Sequence, residues 1–264
     1  MRIAFVRILT LAVFAAPAGF SANILLSGNS MSNSPTMLAN LALLSGSNTF
    51  TFVAPNSLPS TPLGGYDLVW MDGFSQFLDL STLTPYLNGG GRVLVQNPGV
   101  GSESLSQYPG GSNLGISYDS PPGNPNVHIL VPGDFVNFGL TDSGLSGWGP
   151  SSYGHFTTVS GGFIALTDDG TPGEVVTVRD AGGPGVLVYT QQGISQYLQN
   201  NSVTAGAPQL RFVQNLLPDT SAPEPGTLAL LMVPFVVMAL RRKRAQGRGC
   251  SLTVVISAAR CRPR

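Results

Sequence analysis

The chain has 264 residues, 33 of them glycine and 21 proline, and a formal net charge of +0. That neutrality sums two unlike parts: between Ala22 and Thr220 only Arg92, Arg179 and Arg211 oppose twelve acids, and the compensating cations sit in the two ends. An acidic body repels phosphate backbones and excludes nucleic acid as a partner, and a body without cysteine excludes disulfides, a thiol nucleophile and a thiolate metal site.

At the N-terminus, Arg2 and Arg7 precede an uncharged apolar stretch from Ile8 to Ala16, followed by small residues. This order predicts a secretory signal peptide over residues 1–21, with Ala16-Pro17-Ala18 and Gly19-Phe20-Ser21 as alternative cleavage regions. Residues 22–217 are long enough for one substantial domain. Ala22 to Leu26 reads as a short strand. Ser34-Pro35 opens a helix with Ser34 as its cap, Met37, Leu38, Leu41 and Leu44 on one face, and Gly46 as its stop. Thr49 to Val53 and Tyr66 to Met71 read as strands, Ser81 to Leu87 as a short helix ended by Gly89-Gly90-Gly91, and Arg92 to Gln96 as another apolar strand. Strands alternating with helices predict a mainly parallel sheet.

Asn97 to Asn126 breaks the rhythm and reads as a long Gly-, Pro- and Ser-rich loop. Beyond it, Phe163 to Leu166, Val175 to Arg179 and Val186 to Thr190 are predicted as antiparallel strands, with residues 180–185 as a hairpin-type connection. Gln209 to Leu217 is the closing helix, and residues 218–226 form a linker.

The stretches Tyr66-Asp67-Leu68-Val69-Trp70, Leu87 to Val95 and Pro184 to Tyr189, with a region from His128 to Trp148 and then His155, resemble the class I glutamine amidotransferase-like fold and its ThuA-like relatives. The resemblance implies an α/β fold: a mainly parallel flavodoxin-like sheet with added antiparallel strands, covering Ala22 to Leu217. Amidotransferases place a cysteine just after the strand matching Val93 to Gln96. Here the chain continues Asn97-Pro98-Gly99, so the thiol chemistry does not carry over and no catalytic residue is assigned.

Ser102, Ser104 and Ser106 lie near that turn without a Gly-x-Ser-x-Gly elbow, and read as a polar loop. His128 and His155 match no ligand spacing, and Asp168-Asp169-Gly170 with Glu174 lacks the EF-hand spacing, so no metal is expected and an acidic turn is. Gly99 to Ser104 fits neither the dinucleotide fingerprint nor the P-loop, and no cofactor is expected. Asp72 falls at the C-terminal edge of a parallel sheet, where ligands collect. With Asn97 and His155 it makes the candidate polar pocket. Trp148, between two glycines, reads either as an exposed stacking platform for a sugar or as an aromatic lid.

Within the linker, Pro223-Glu224-Pro225 is followed by an apolar run over residues 227–240 and by Arg241, Arg242, Lys243 and Arg244. The cations stay on the cytoplasmic side, so this order predicts a transmembrane helix with the body outside the inner membrane. Fourteen apolar residues span only about 21 Å, short of the usual requirement of about 20 residues. The arrangement resembles the PEP-CTERM sorting signal of Gram-negative bacteria. That resemblance implies an exosortase-type membrane protease as a partner after the Sec translocon and signal peptidase, with extracellular polysaccharide as the candidate ligand. It also implies an exported, non-catalytic surface or matrix protein; the alternative is a hydrolase or carbohydrate-active enzyme. Such signals normally end soon after the cations, whereas this chain continues from Ala245 to Arg264, either as a cytoplasmic tail or through a shifted stop codon.

Overall fold

A computed structural model describes residues 21–28, 31–73, 79–98, 105–118, 126–148 and 152–218. The chain divides into two units, Met1–Asp219 and Thr220–Arg264, and every described residue belongs to the first. The predicted signal peptide up to Phe20, Ser102, Ser104, the Pro223-Glu224-Pro225 triplet, the run 227–240 and the Arg241–Arg244 cluster lie outside the described residues. Among the described residues no helix is long and apolar enough to cross a membrane.

The apolar runs of the first half become strands β1 (Asn23–Ser27), β2 (Thr49–Val53), β3 (Leu68–Asp72) and β4 (Arg92–Gln96). They alternate with helices α1 (Pro35–Leu41) and α2 (Leu83–Asn88). Strand β10 (Val186–Thr190) returns beside β4, so five strands pair in parallel in the order β2-β1-β3-β4-β10. Counted along the chain within this half, that is the flavodoxin-like 2-1-3-4-5 order. Strands covered on both faces read as continuous apolar runs rather than alternating ones. Every residue of β3 is accordingly buried, whereas edge strand β2 is only partly covered.

An antiparallel extension continues from β10 through β9 (Val175–Asp180) to β7 (Gly154–Val159) and β5 (Leu114–Tyr118). Strand β8 (Phe163–Asp168) pairs with β9 and carries the short β6 (His128–Ile129). The hairpin-type connection over 180–185 is borne out, because Val188 faces Arg179 across β10 and β9. Two expectations fail here. The loop expected over 97–126 contains β5, and β7 is not among the expected strands. In β7 only Phe156 and Val159 are apolar, too few to announce a strand; its pairing with β5 and β9 makes it one.

Helices α3 (Asp142–Leu145), α4 (Ile194–Asn200) and α5 (Pro208–Leu216) join α1 over one face, on a core that includes Ile24, Leu26, Trp70, Leu94 and Val188. The other face, with Leu25, Val69, Val93, Val95 and Tyr189, is covered by α2, short helical turns and the antiparallel strands. Ser34 caps α1 as expected, its Oγ accepting from the Met37 N–H at 3.2 Å, but the helix stops at Leu41 rather than at Gly46. The chain tightens there into three-residue turns, Leu43 N–H to the Asn40 carbonyl and Leu44 N–H to the Leu41 carbonyl.

Two polar side chains fasten the helical layer. Buried Asn40 donates to the carbonyls of Leu198 (2.6 Å) and Asn201 (2.7 Å) and accepts from the Val203 N–H (3.0 Å), stitching α1 to the end of α4. Arg92 donates to the carbonyls of Leu216 and Leu217 at 3.1 and 3.0 Å, satisfying the C-terminus of α5. Replacing Asn40 by alanine would leave two carbonyls and one N–H without that partner. Asn40→Ala is expected to destabilise the protein by about 2–3 kcal/mol, read as a lower urea midpoint at unchanged slope.

Candidate functional site

In the parallel half, β1, β3, β4 and β10 each end in a fully buried polar residue: Ser27, Asp72, Gln96 and Thr190. Three of these share one register row, Asp72 opposite Gln96 and Gln96 opposite Thr190, and Thr177 of β9 extends the row. This is the C-terminal edge, the edge at which open α/β sheets bind ligands. Asp72 sits there as the sequence predicts.

Gln96 organises the row. Its Oε1 accepts from the Trp70 indole N–H at 3.1 Å and from the Ser195 backbone N–H at 3.0 Å, and its Nε2 donates to Ser195 Oγ. Thr190 and Thr177 bond through their hydroxyls at 2.9 Å. The exits from the strands are crowded: a Cβ on Gly28, whose φ is +147°, would come within 2.6 Å of Asp72 Cβ, and one on Gly73 would fall on the Asn97 carbonyl oxygen. Asn97 itself turns left-handed at φ 49°, the sole non-glycine among the described residues with positive φ. Its N–H donates to the Thr190 carbonyl at 2.7 Å, so the turn is pinned to β10. A sharp turn just after β4 thus presents Asn97.

The carboxamides of Asn97 and Gln191 are fully buried, and neither amide has a hydrogen-bond partner among the described residues. Ser27 Oγ and Gln192 Oε1 share that condition. Buried polar groups are nearly always paired, so four such side chains at one sheet edge mark it as more than packing. The glutamines were missed because Gln191 and Gln192 directly follow a strand and match no motif; only their place beside Asn97 singles them out. Tyr153 joins them, its N–H donating to the Gln191 carbonyl at 2.8 Å. Burial, and then the nearby Asp72 carboxylate, push its phenol above the usual range.

The other expected pocket residues fare differently. Trp148 is not an exposed platform: it is 8% exposed, its indole N–H donates to the Gly144 carbonyl at 3.1 Å, and its ring lies 5.0 Å from that of Tyr197. Flanking glycines suggested exposure, but the hydrophobic cluster under α4 absorbs the ring. His155 lies on β7, with β10 and β9 between it and β4 in the sheet order. Its Nε2 is 3.8 Å from a Glu174 carboxylate oxygen on the turn between β8 and β9. Asp168-Asp169-Gly170 does form the expected acidic turn. A shared hydrogen bond with Asp169 raises the Glu174 pKa. The half-exposed His128 lies 3.7 Å from Asp168.

A cavity of about 600 Å³ opens at the opposite, N-terminal edge, lined by Tyr66, Asp67, Tyr86, Gly90, Arg92 and neighbours. Its polar groups have structural partners: Arg92 holds the end of α5, and the Tyr86 hydroxyl donates to the Tyr66 carbonyl at 2.9 Å. The candidate site is therefore the C-terminal edge.

No protein-family model matches the chain, and no curated protein matches it either. Solved structures of similar chain trace include a GMP synthase-like protein from Thermoplasma acidophilum, at 15% identity and TM-score 0.49 over 74% of this chain and 92% of that one. A ThuA-like protein from Bacteroides uniformis matches at 12% identity and TM-score 0.45, over 76% and 91%. A β-galactosidase from Rahnella sp. R3 matches at 16% and 0.46, over 77% of this chain but 33% of its own. These likenesses are of outline and carry no chemistry; the flavodoxin-like order rests on the strand register itself.

Asn97→Gly removes both the left-handed strain and a buried unpaired carboxamide, and is expected to raise stability by about 1 kcal/mol in urea unfolding. A loss of that size would instead show that the carboxamide is bonded. Tyr118, whose hydroxyl donates to the Pro98 carbonyl at 2.9 Å, has its pKa pushed up by burial to about 12. A phenol with a raised folded pKa contributes stability below its ordinary value of 10 that is lost as pH climbs towards 12. Tyr118→Phe is expected to flatten the fall in unfolding stability with pH above about 10.

Proposed function

We propose that this chain is an exported cell-surface or extracellular-matrix protein, delivered by the Sec translocon and signal peptidase and sorted by an exosortase-type protease. Its α/β domain is a non-catalytic binding or display module whose ligand site is the C-terminal sheet edge. One observation supports the binding reading above the rest: the buried, unpaired carboxamides of Asn97 and Gln191 at that edge. Each unpaired buried group costs about 1–3 kcal/mol, so parting of the strand exits over this edge, letting in a hydroxyl-rich ligand such as an extracellular polysaccharide, would satisfy donors and acceptors of both amides.

Export is argued from the sequence: the charged and apolar start, the acidic cysteine-free body, and the order of triplet, apolar run and cations. The amidotransferase-like outline favours no thiol chemistry here, because Asn97 follows the strand where the family's cysteine would stand.

A second reading, a hydrolase or carbohydrate-active enzyme, has one observation in its favour: Asp72 is buried at the ligand edge close enough to Tyr153 to raise that phenol's pKa. Release of reducing sugar from envelope polysaccharide, abolished in Asp72→Asn, would establish it over the binding reading.

Cell fractionation with intact-mass analysis tests the assignment. The expected mature product lacks the first 18 to 21 residues, is cut near Pro223-Glu224-Pro225, and is found outside the inner membrane. Recovery of the intact 264-residue chain from the cytosol would overturn the proposal.

A further inference from the structure

Both histidines of the chain face the same acidic turn: His128 from β6 stands by Asp168, and His155 from β7 by Glu174. Around His155 the arrangement is tighter. His155, Asp169 and Glu174 each offer one ligand atom, and these atoms lie within 4.8 Å of one another. The imidazole side chain is 13% exposed, so its position is set by packing, while Glu174 at 34% keeps freedom to adjust. The turn is closed by its own hydrogen bonds: Asp169 N–H to the Glu174 carbonyl at 3.1 Å, Glu174 N–H to the Thr171 carbonyl at 3.0 Å, and Thr171 N–H to Asp169 Oδ1 at 2.9 Å. Both carboxylates are thereby carried on one small frame, with the imidazole of a separate strand against it.

We propose that His155, Asp169 and Glu174 form a binding site for a divalent transition metal of the zinc class, which ties β7 to the turn between β8 and β9. The donor set argues for that class. One imidazole nitrogen with two carboxylate oxygens suits zinc, cobalt or manganese, whereas calcium and magnesium favour all-oxygen shells. Metal–ligand distances of about 2.0–2.2 Å place neighbouring ligand atoms roughly 3–3.5 Å apart. A contraction of about an ångström, within reach of the partly exposed Glu174, closes the present arrangement onto an ion. The two carboxylates, with ligand atoms no more than 4.8 Å apart, lose their mutual repulsion when a cation lies between them. Three protein ligands leave at least one position for water or for an oxygen of a partner. Chain spacing hides the site, because the imidazole comes from a different strand and no linear motif joins it to the turn.

The test uses tag-free protein stripped with chelator and titrated with Co²⁺, followed by visible absorption, and with Zn²⁺ by calorimetry. One equivalent of each metal is expected to bind, with a rise in Tm on adding Zn²⁺. His155→Gln and Glu174→Gln are expected to lose affinity by at least about tenfold and to lose the Tm rise, while His128→Gln retains both. Glu174 lies on an exposed turn, so its variant reads the site even if His155→Gln unfolds; near-ultraviolet circular dichroism checks each fold. Absence of binding in the wild type, binding unaffected by Glu174→Gln, or a preference for Ca²⁺ over Zn²⁺ would each overturn the proposal.

Discussion

Gln96 is where the layers of this domain are joined. One buried carboxamide bonds the indole of Trp70 on β3 and both the backbone and the hydroxyl of Ser195 on α4, while its own strand runs between β3 and β10. In a low-dielectric interior such a network is strong when complete and costly when broken. It places α4 against the sheet, and Asn40 then places α1 against α4. With no cysteine in the body, this cross-layer fixing has to be done by hydrogen bonds and apolar burial.

The same constraint creates the candidate site. Parallel strands held in register end together, so Asp72, Gln96 and Thr190 form a level row, and the chain must leave that row within one or two residues. The exits press on each other at Gly28, Gly73 and Asn97. Here left-handed strain at Asn97 coincides with two carboxamides, those of Asn97 and Gln191, whose nitrogen and oxygen are both buried without a partner. Such departures concentrate at functional edges, where the surrounding structure over-determines an otherwise unfavourable geometry. That is why the edge, and not the cavity at the other end of the strands, is the more informative surface.

The antiparallel extension has a different character. The end of β8 and its connection to β9 carry Asp168, Asp169 and Glu174, three of the acids of the body, and draw both histidines to them. A metal there would act as a crosslink between β7 and its neighbours in a domain that has no disulfide available.

Much of the framework was legible because fully buried parallel strands leave unbroken apolar runs. β4 is read in this way from Arg92–Gln96; edge strand β2 shows instead as the alternation of Thr49–Val53, β9 starts at Val175 as the sequence reads, and the Ser34 cap needs only local chemistry. By itself the sequence determined the acidic, cysteine-free body, the alternation of strand and helix, the place of Asp72 at a strand end, and the charged and apolar flanks on which the export argument stands. Only tertiary structure decided that β5 and β7 are strands, that Trp148 is core, that Gln191 belongs beside Asn97, and that His155 belongs with Glu174. Those outcomes depend on neighbours distant along the chain. Burial and cross-strand pairing are properties of the assembled sheet, whereas periodicity and capping act within a few residues and can be seen in the chain alone.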